Sequence, residues 1–118
     1  MGYNKQTGEW ADIDDVTLAA SAARTSSANG SAVELGDRGT LRLLLDVTAA
    51  TGTTPTLDAA VETSFDGVTW RSLGAFTQKT ATGTERKSFA GADRFVRVTW
   101  TIGGTTPSFT FSVSGEAV

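Results

Sequence analysis

The chain has 118 residues, with 10 Lys and Arg against 13 Asp and Glu for a net charge of −3, and it has neither cysteine nor histidine. That length holds one domain with one core, and the missing residue types exclude disulfide scaffolds, thiol nucleophiles, imidazole-ligated metals and Ser-His-Asp triads. The slightly acidic balance lacks the basic face that displaces phosphate counterions, so nucleic acid is not an expected partner.

Thr (20 residues), Gly (13) and Ser (10) are prominent in the composition, which favours pleated strands joined by tight turns over helices. No run approaches the roughly 20 apolar residues of a membrane span. The start Met1-Gly2-Tyr3-Asn4-Lys5-Gln6 lacks the apolar core of a signal peptide, so the chain is expected to be made in the cytoplasm and to meet no membrane. Residues 1–15 show no alternation and carry Glu9, Asp12, Asp14 and Asp15 around Tyr3 and Trp10. They read as an N-terminal arm that either frays in solvent or docks its two aromatics on the chain's own sheet or on a neighbouring subunit. Residues 16–118 read as a single β-sandwich domain.

From Val16 the pattern has period two, with Val16, Leu18 and Ala20 on one side, and it dissolves into a small-residue loop over residues 21–31. Residues 32–35 predict a short strand with Val33 and Leu35 inward, closed by the turn Gly36-Asp37-Arg38-Gly39. Residues 40–48 set Leu41, Leu43, Leu45 and Val47 against Arg42, Leu44 and Asp46. A slip of one residue would expose four large apolar groups, so this register is firmly specified. Residues 49–55 read as another small-residue loop. Leu57, Ala59, Val61, Thr63 and Phe65 then alternate with Asp58, Ala60, Glu62 and Ser64. This strand runs into Asp66-Gly67, which suits a tight hairpin turn, and returns as Val68-Thr69-Trp70-Arg71.

Residues 73–78 and 84–89 predict a second pair around Thr80-Ala81-Thr82-Gly83, anchored by Phe76 and Phe89. Residues 94–102 set Val96, Val98, Trp100 and Ile102 against Phe95, Arg97, Thr99 and Thr101. Gly103-Gly104-Thr105-Thr106-Pro107 reads as a turn into a last strand with Phe109, Phe111 and Val113 on one face. About eight strands and no helical period predict an all-β fold: an antiparallel β-sandwich with Greek-key or jelly-roll connections. No internal repeat is evident at this level.

Few residues offer chemistry. Asp12, Asp14 and Asp15, with Glu9 nearby, have the alternating spacing with which calcium loops begin. The loop glycine and the closing bidentate glutamate are missing, and a solvated acidic arm is the expectation. Asp58 and Glu62 share one face of a strand, the arrangement of a paired-carboxylate glycosidase site, but nothing around them implies a raised pKa or a sugar cleft; they read as the wet face of a sheet. Trp10, Trp70 and Trp100 would form a stacking platform for sugars or bases if they shared a surface. Trp100 is in phase with Val96, Val98 and Ile102, and Trp70 with Val68, so both are assigned to the core or its edge and Trp10 is left alone. Arg42, Asp46, Arg94 and Arg97 are placed for cross-strand ion pairs. No catalytic residue, cofactor or metal is expected. Leu44 and Phe95 fall out of core phase, and with Tyr3 and Trp10 they are the candidate interface residues, the competing reading being that the chain's own loops cover them.

Two resemblances follow from these residues. Ser64-Phe65-Asp66-Gly67-Val68-Thr69-Trp70 resembles the Ser-x-Asp-Gly-x-x-Trp hairpin of discoidin-like and other carbohydrate-binding β-sandwiches. Its mechanics are local, with Ser64 and Asp66 bonding turn amides and Gly67 supplying the turn, so it marks a sandwich hairpin and not a ligand. The longer stretch from Leu41 to Val118 is similar to small structural proteins of tailed-bacteriophage virions. That likeness is carried by Leu57-Asp58-Ala59-Ala60-Val61-Glu62-Thr63-Ser64-Phe65-Asp66-Gly67, Arg94-Phe95-Val96-Arg97-Val98-Thr99-Trp100 and Pro107-Ser108-Phe109-Thr110-Phe111-Ser112-Val113-Ser114-Gly115-Glu116. It implies a non-enzymatic building block located in the virion, first of all a capsid decoration protein that binds and stabilises the lattice. A tail or neck component and a carbohydrate-binding module that takes a glycan are the alternatives. The implied partners are further copies of the chain in a small symmetric homo-oligomer and other virion proteins such as the major capsid protein. No functional residue maps by motif.

Overall fold

A computed structural model of the chain describes residues 2–4, 9–11 and 14–118, with side chains from Asp15 onward. The regular structure among them is β and its pairing is antiparallel. Strands β1 (Gly2–Asn4) and β2 (Glu9–Ala11) form a hairpin of their own, with Tyr3 opposite Trp10. The other seven are β3 (Asp14–Arg24), β4 (Ala28–Asn29), β5 (Val33–Glu34), β6 (Thr40–Ser64), β7 (Arg71–Ala75), β8 (Gly83–Ala90) and β9 (Phe95–Ala117), and they belong to one sheet.

Two strands dominate it. β6 has 25 residues and β9 has 23, where five or six is usual. They pair from Leu41 opposite Ala117 to Ser64 opposite Phe95, and the ladder slips between Val47 and Ala49, Thr51 and Thr53, and Thr53 and Thr56. The same four residues stand at the middle of both strands, as Gly52-Thr53-Thr54-Pro55 and Gly104-Thr105-Thr106-Pro107. Their backbones match: φ is +114° at Gly52 and +111° at Gly104, +47° at Thr54 and +46° at Thr106. They also lie against each other, since a Cβ on Gly52 would sit 2.8 Å from the Thr106 carbonyl oxygen and one on Gly104 would sit 2.7 Å from that of Thr54. The segments expected as a loop at 49–55 and a turn at 103–107 are therefore the two halves of one corner. They form a short repeat with local two-fold symmetry that the expectation of no repeat overlooked. Glycine takes its positive φ at no steric cost, the second threonine of each half is held in the left-handed region, and the chain turns there without leaving the ladder.

Beyond the corner, each long strand serves two leaves. In one leaf the order is β3, the second half of β9, the first half of β6, then β8; in the other, β4 and β5 flank the first half of β9, followed by the second half of β6 and β7. The leaves face each other. The Trp100 and Phe111 rings meet edge to face with centroids 5.5 Å apart, as do those of Phe76 and Phe89. Leu41, Leu43, Leu45, Val47, Phe109, Phe111 and Val113 from one leaf and Leu57, Ala59, Val61, Val96 and Val98 from the other are buried in a single cluster. An all-β antiparallel fold is thus observed, in the layout of a sandwich whose leaves share two continuous strands.

Three local expectations change. β3 continues to Arg24 through register slips between Thr17 and Ala19 and between Ala19 and Ala22, which turn Ala19 inward and leave Ala20 exposed. Residues 73–78 and 84–89 do not pair with each other. β7 adds to the second half of β6 and β8 to the first half, so the chain between them crosses from leaf to leaf and Phe76 and Phe89 meet across the core. Finally, the return strand after Asp66-Gly67 begins at Arg71 opposite Thr63, making residues 65–70 a loop longer than a two-residue turn.

Candidate functional site

The loop at 64–70 is built by two side chains. The Ser64 hydroxyl, buried at the end of β6, donates to Asp66 Oδ1 at 2.9 Å and accepts the Gly67 N–H at 2.9 Å. Asp66 Oδ1 in turn accepts the N–H groups of Val68 and Thr69, each at 2.9 Å. The amides of Thr69 and Val68, then the Ser64 hydroxyl, hold the Asp66 carboxyl below its usual pKa. All these bonds land on Oδ1.

The same loop pushes apolar groups into water. Phe65 is 78% exposed and Val68 79%, although the alternation of β6 predicts Phe65 inward and the return strand predicts Val68 at the core. The pattern stops one residue earlier than expected. Thr63 takes the last inward place, donating to the Phe95 carbonyl at 2.9 Å and accepting the Asp93 N–H at 2.7 Å. Trp70, expected in the core or at its edge, is at the edge and outside the core cluster. It lies half-buried on the outer face, with the Arg97 guanidinium 4.3 Å from its ring centroid, and Arg97 pairs with Glu62 at 2.8 Å. Phe95 is half-buried on that face too, and a Cβ on Gly67 would stand 3.8 Å from its ring.

A second surface lies on the outside of the other leaf. Here Leu44 is half-buried in a groove of about 670 Å³, bordered by Arg42, Arg86, Asp15 and Glu116. Arg42 reaches Glu116 at 3.4 Å. Arg86, opposite Leu44 on β8, is exposed and has no ion-pair partner among the described residues.

The remaining candidates are spread out or occupied. The side chains of Tyr3 and Trp10 and of the calcium candidates Glu9 and Asp14 lie outside what the structure describes, as does Asp12 altogether, whereas the Asp15 side chain is described and exposed. Among the described residues no three acidic side chains gather as a metal site would require. Asp58 accepts the Gln78 amide at 3.1 Å while Glu62 is held by Arg97, so the two carboxylates serve separate partners. Of the four residues expected in cross-strand ion pairs, Arg42, Arg94 and Arg97 pair with Glu116, Glu34 and Glu62. Asp46 stands opposite Ser112 and Thr84. Trp100 is in the core as expected, its indole N–H donating to the Ser26 carbonyl at 3.1 Å. With the Arg97 guanidinium against Trp70, these two tryptophans share no surface.

No protein-family model matches the chain, and no curated protein matches it in sequence. Among solved structures, its fold is similar to that of a chain in the structure of infectious bursal disease virus Gx strain, with a TM-score of 0.50 and 16% sequence identity over 89% of this chain. The match covers 31% of that longer chain.

Proposed function

We propose that the chain is a non-enzymatic structural protein of a virion, in finer terms a capsid decoration protein of a tailed phage that binds and stabilises the shell. The observation that carries this reading is the folded-over β body, similar in fold to a chain of a virus structure. Such a role asks for a rigid body with surfaces that add to a lattice, and it asks for no cofactor. The described side chains suit it, since Asp58 and Glu62 are engaged by separate partners, while an apolar loop and a groove face outward.

Mass spectrometry of particles gradient-purified from cultures carrying the encoding genome tests the reading. Peptides of this chain at a fixed ratio to the shell protein are expected, and confinement of the chain to the soluble fraction would overturn it. Purified chain added to shells and to tails separates the two positions: rebinding to shells supports decoration, and rebinding to tails alone replaces it with a tail component.

A further inference from the structure

The loop at 64–70 has the properties of a ready-made contact. Two large apolar side chains stand almost fully in solvent, and the bonds from Ser64 and Asp66 fix the backbone that carries them. Little conformational freedom is left to lose when the loop meets a partner. The bonds from Ser64, Val68 and Thr69 all use Oδ1, which leaves Oδ2 to meet a partner, and no cation pairs with this carboxylate among the described residues. A surface that fits the loop therefore offers an accessible apolar side chain with a cation beside it.

This chain has such a surface on its other leaf. Leu44 is the groove's outward apolar side chain, and Arg86, exposed and without an ion-pair partner among the described residues, stands next to it across the β6–β8 ladder. Building on the virion-protein reading, we propose that the groove receives the 64–70 loop of a second copy. Phe65 and Val68 pack on Leu44, and Oδ2 of Asp66 faces the Arg86 guanidinium. Loop and groove lie on different leaves, so each copy keeps one of each after the first contact. The association is head-to-tail and closes into a ring or continues as a lattice.

The absence of native cysteine makes a direct test available. A Leu44→Cys chain is mixed with a Phe65→Cys chain under mild oxidation, with each variant alone as control. The expected result is a disulfide-linked pair at twice 12.3 kDa, formed several-fold faster in the mixture than in either control. In light scattering across a concentration range, the full chain should rise above the monomer mass, and Phe65→Asp or Arg86→Glu should each shift that rise to at least about tenfold higher concentration. Both residues are exposed, so melting temperature checks that the variants still fold. A strict monomer overturns the proposal. So does association that survives Phe65→Asp without the mixed disulfide, or that is lost only on removing residues 1–13, which would hand the groove to the arm. Particle composition decides the virion reading separately, so the two can fail independently.

Discussion

The corner at 52–55 and 104–107 and the loop at 64–70 both turn the chain, and they do so by opposite means. The corner is held by backbone against backbone, each glycine packed on the other segment's carbonyl. The loop is held by two side chains whose oxygen atoms collect amide protons. A backbone contact tolerates no added atom, whereas a side-chain scaffold fails only when its own oxygens are removed, and it leaves neighbouring positions free to vary. The corner is thus a device for stability, and the loop is a mount for exposed groups.

Substitutions can break this contrast, and the corner should respond most. Gly52→Ala and Gly104→Ala each place a methyl group on an opposing carbonyl at a φ that favours glycine, and each should cost about 3 kcal/mol. If the local two-fold is real in energetic terms, urea denaturation should find the two losses within about 1 kcal/mol of each other. Ser64→Ala removes a buried hydroxyl that serves both the loop amides and Asp66, and about 1–2 kcal/mol should go with it.

Acid should find the loop next. Asp66 has a folded-state pKa below its unfolded value. Its contribution is complete above the unfolded value of roughly 3.9 and is lost as pH falls through the lower folded one. For Glu85, burial pushes the pKa up, but Lys79 at 2.6 Å and the Thr77 amide outweigh it and the net direction is down, which places its loss in the same acid range. Melting temperature measured from pH 7 to 2.5 should therefore fall below about pH 4, and Asp66→Asn should flatten part of that fall. The smallest effect is expected at Phe65. Its side chain contributes little to the fold, so Phe65→Ser should change stability by less than about 0.5 kcal/mol while altering association. A large loss of stability there would erase the distinction between corner and loop.

Much of this was legible in the sequence, for reasons that differ by region. The alternation at Leu41, Leu43, Leu45 and Val47 and at Val96, Val98 and Trp100 shows its buried face directly, because a half-buried strand writes its environment into every second residue. The hydrogen bonding of Ser64 and Asp66 is equally readable, since both residue types favour local bonds to turn amides. The corner was not, because Gly, Thr and Pro are what a loop also uses, and only the matching φ values and mutual packing reveal strands that never end. Phe65 and Val68 misled because alternation says which face a residue would take if the strand continued, and the strand ends at Ser64. As for the surfaces, Leu44 and Phe95 stand out by phase, but the place of Arg86 beside Leu44 becomes visible only once β8 is laid beside β6.

The uninterrupted passage of β6 and β9 through both leaves has a mechanical meaning. In a sandwich whose leaves are joined by loops, one leaf can peel away while the other holds. Here, pulling on either leaf loads the same two threads, and the ladder between them runs from Leu41 and Ala117 at one extremity to Ser64 and Phe95 at the other. Amide hydrogen exchange should accordingly report one opening event spanning both leaves, a body that yields all at once or not at all.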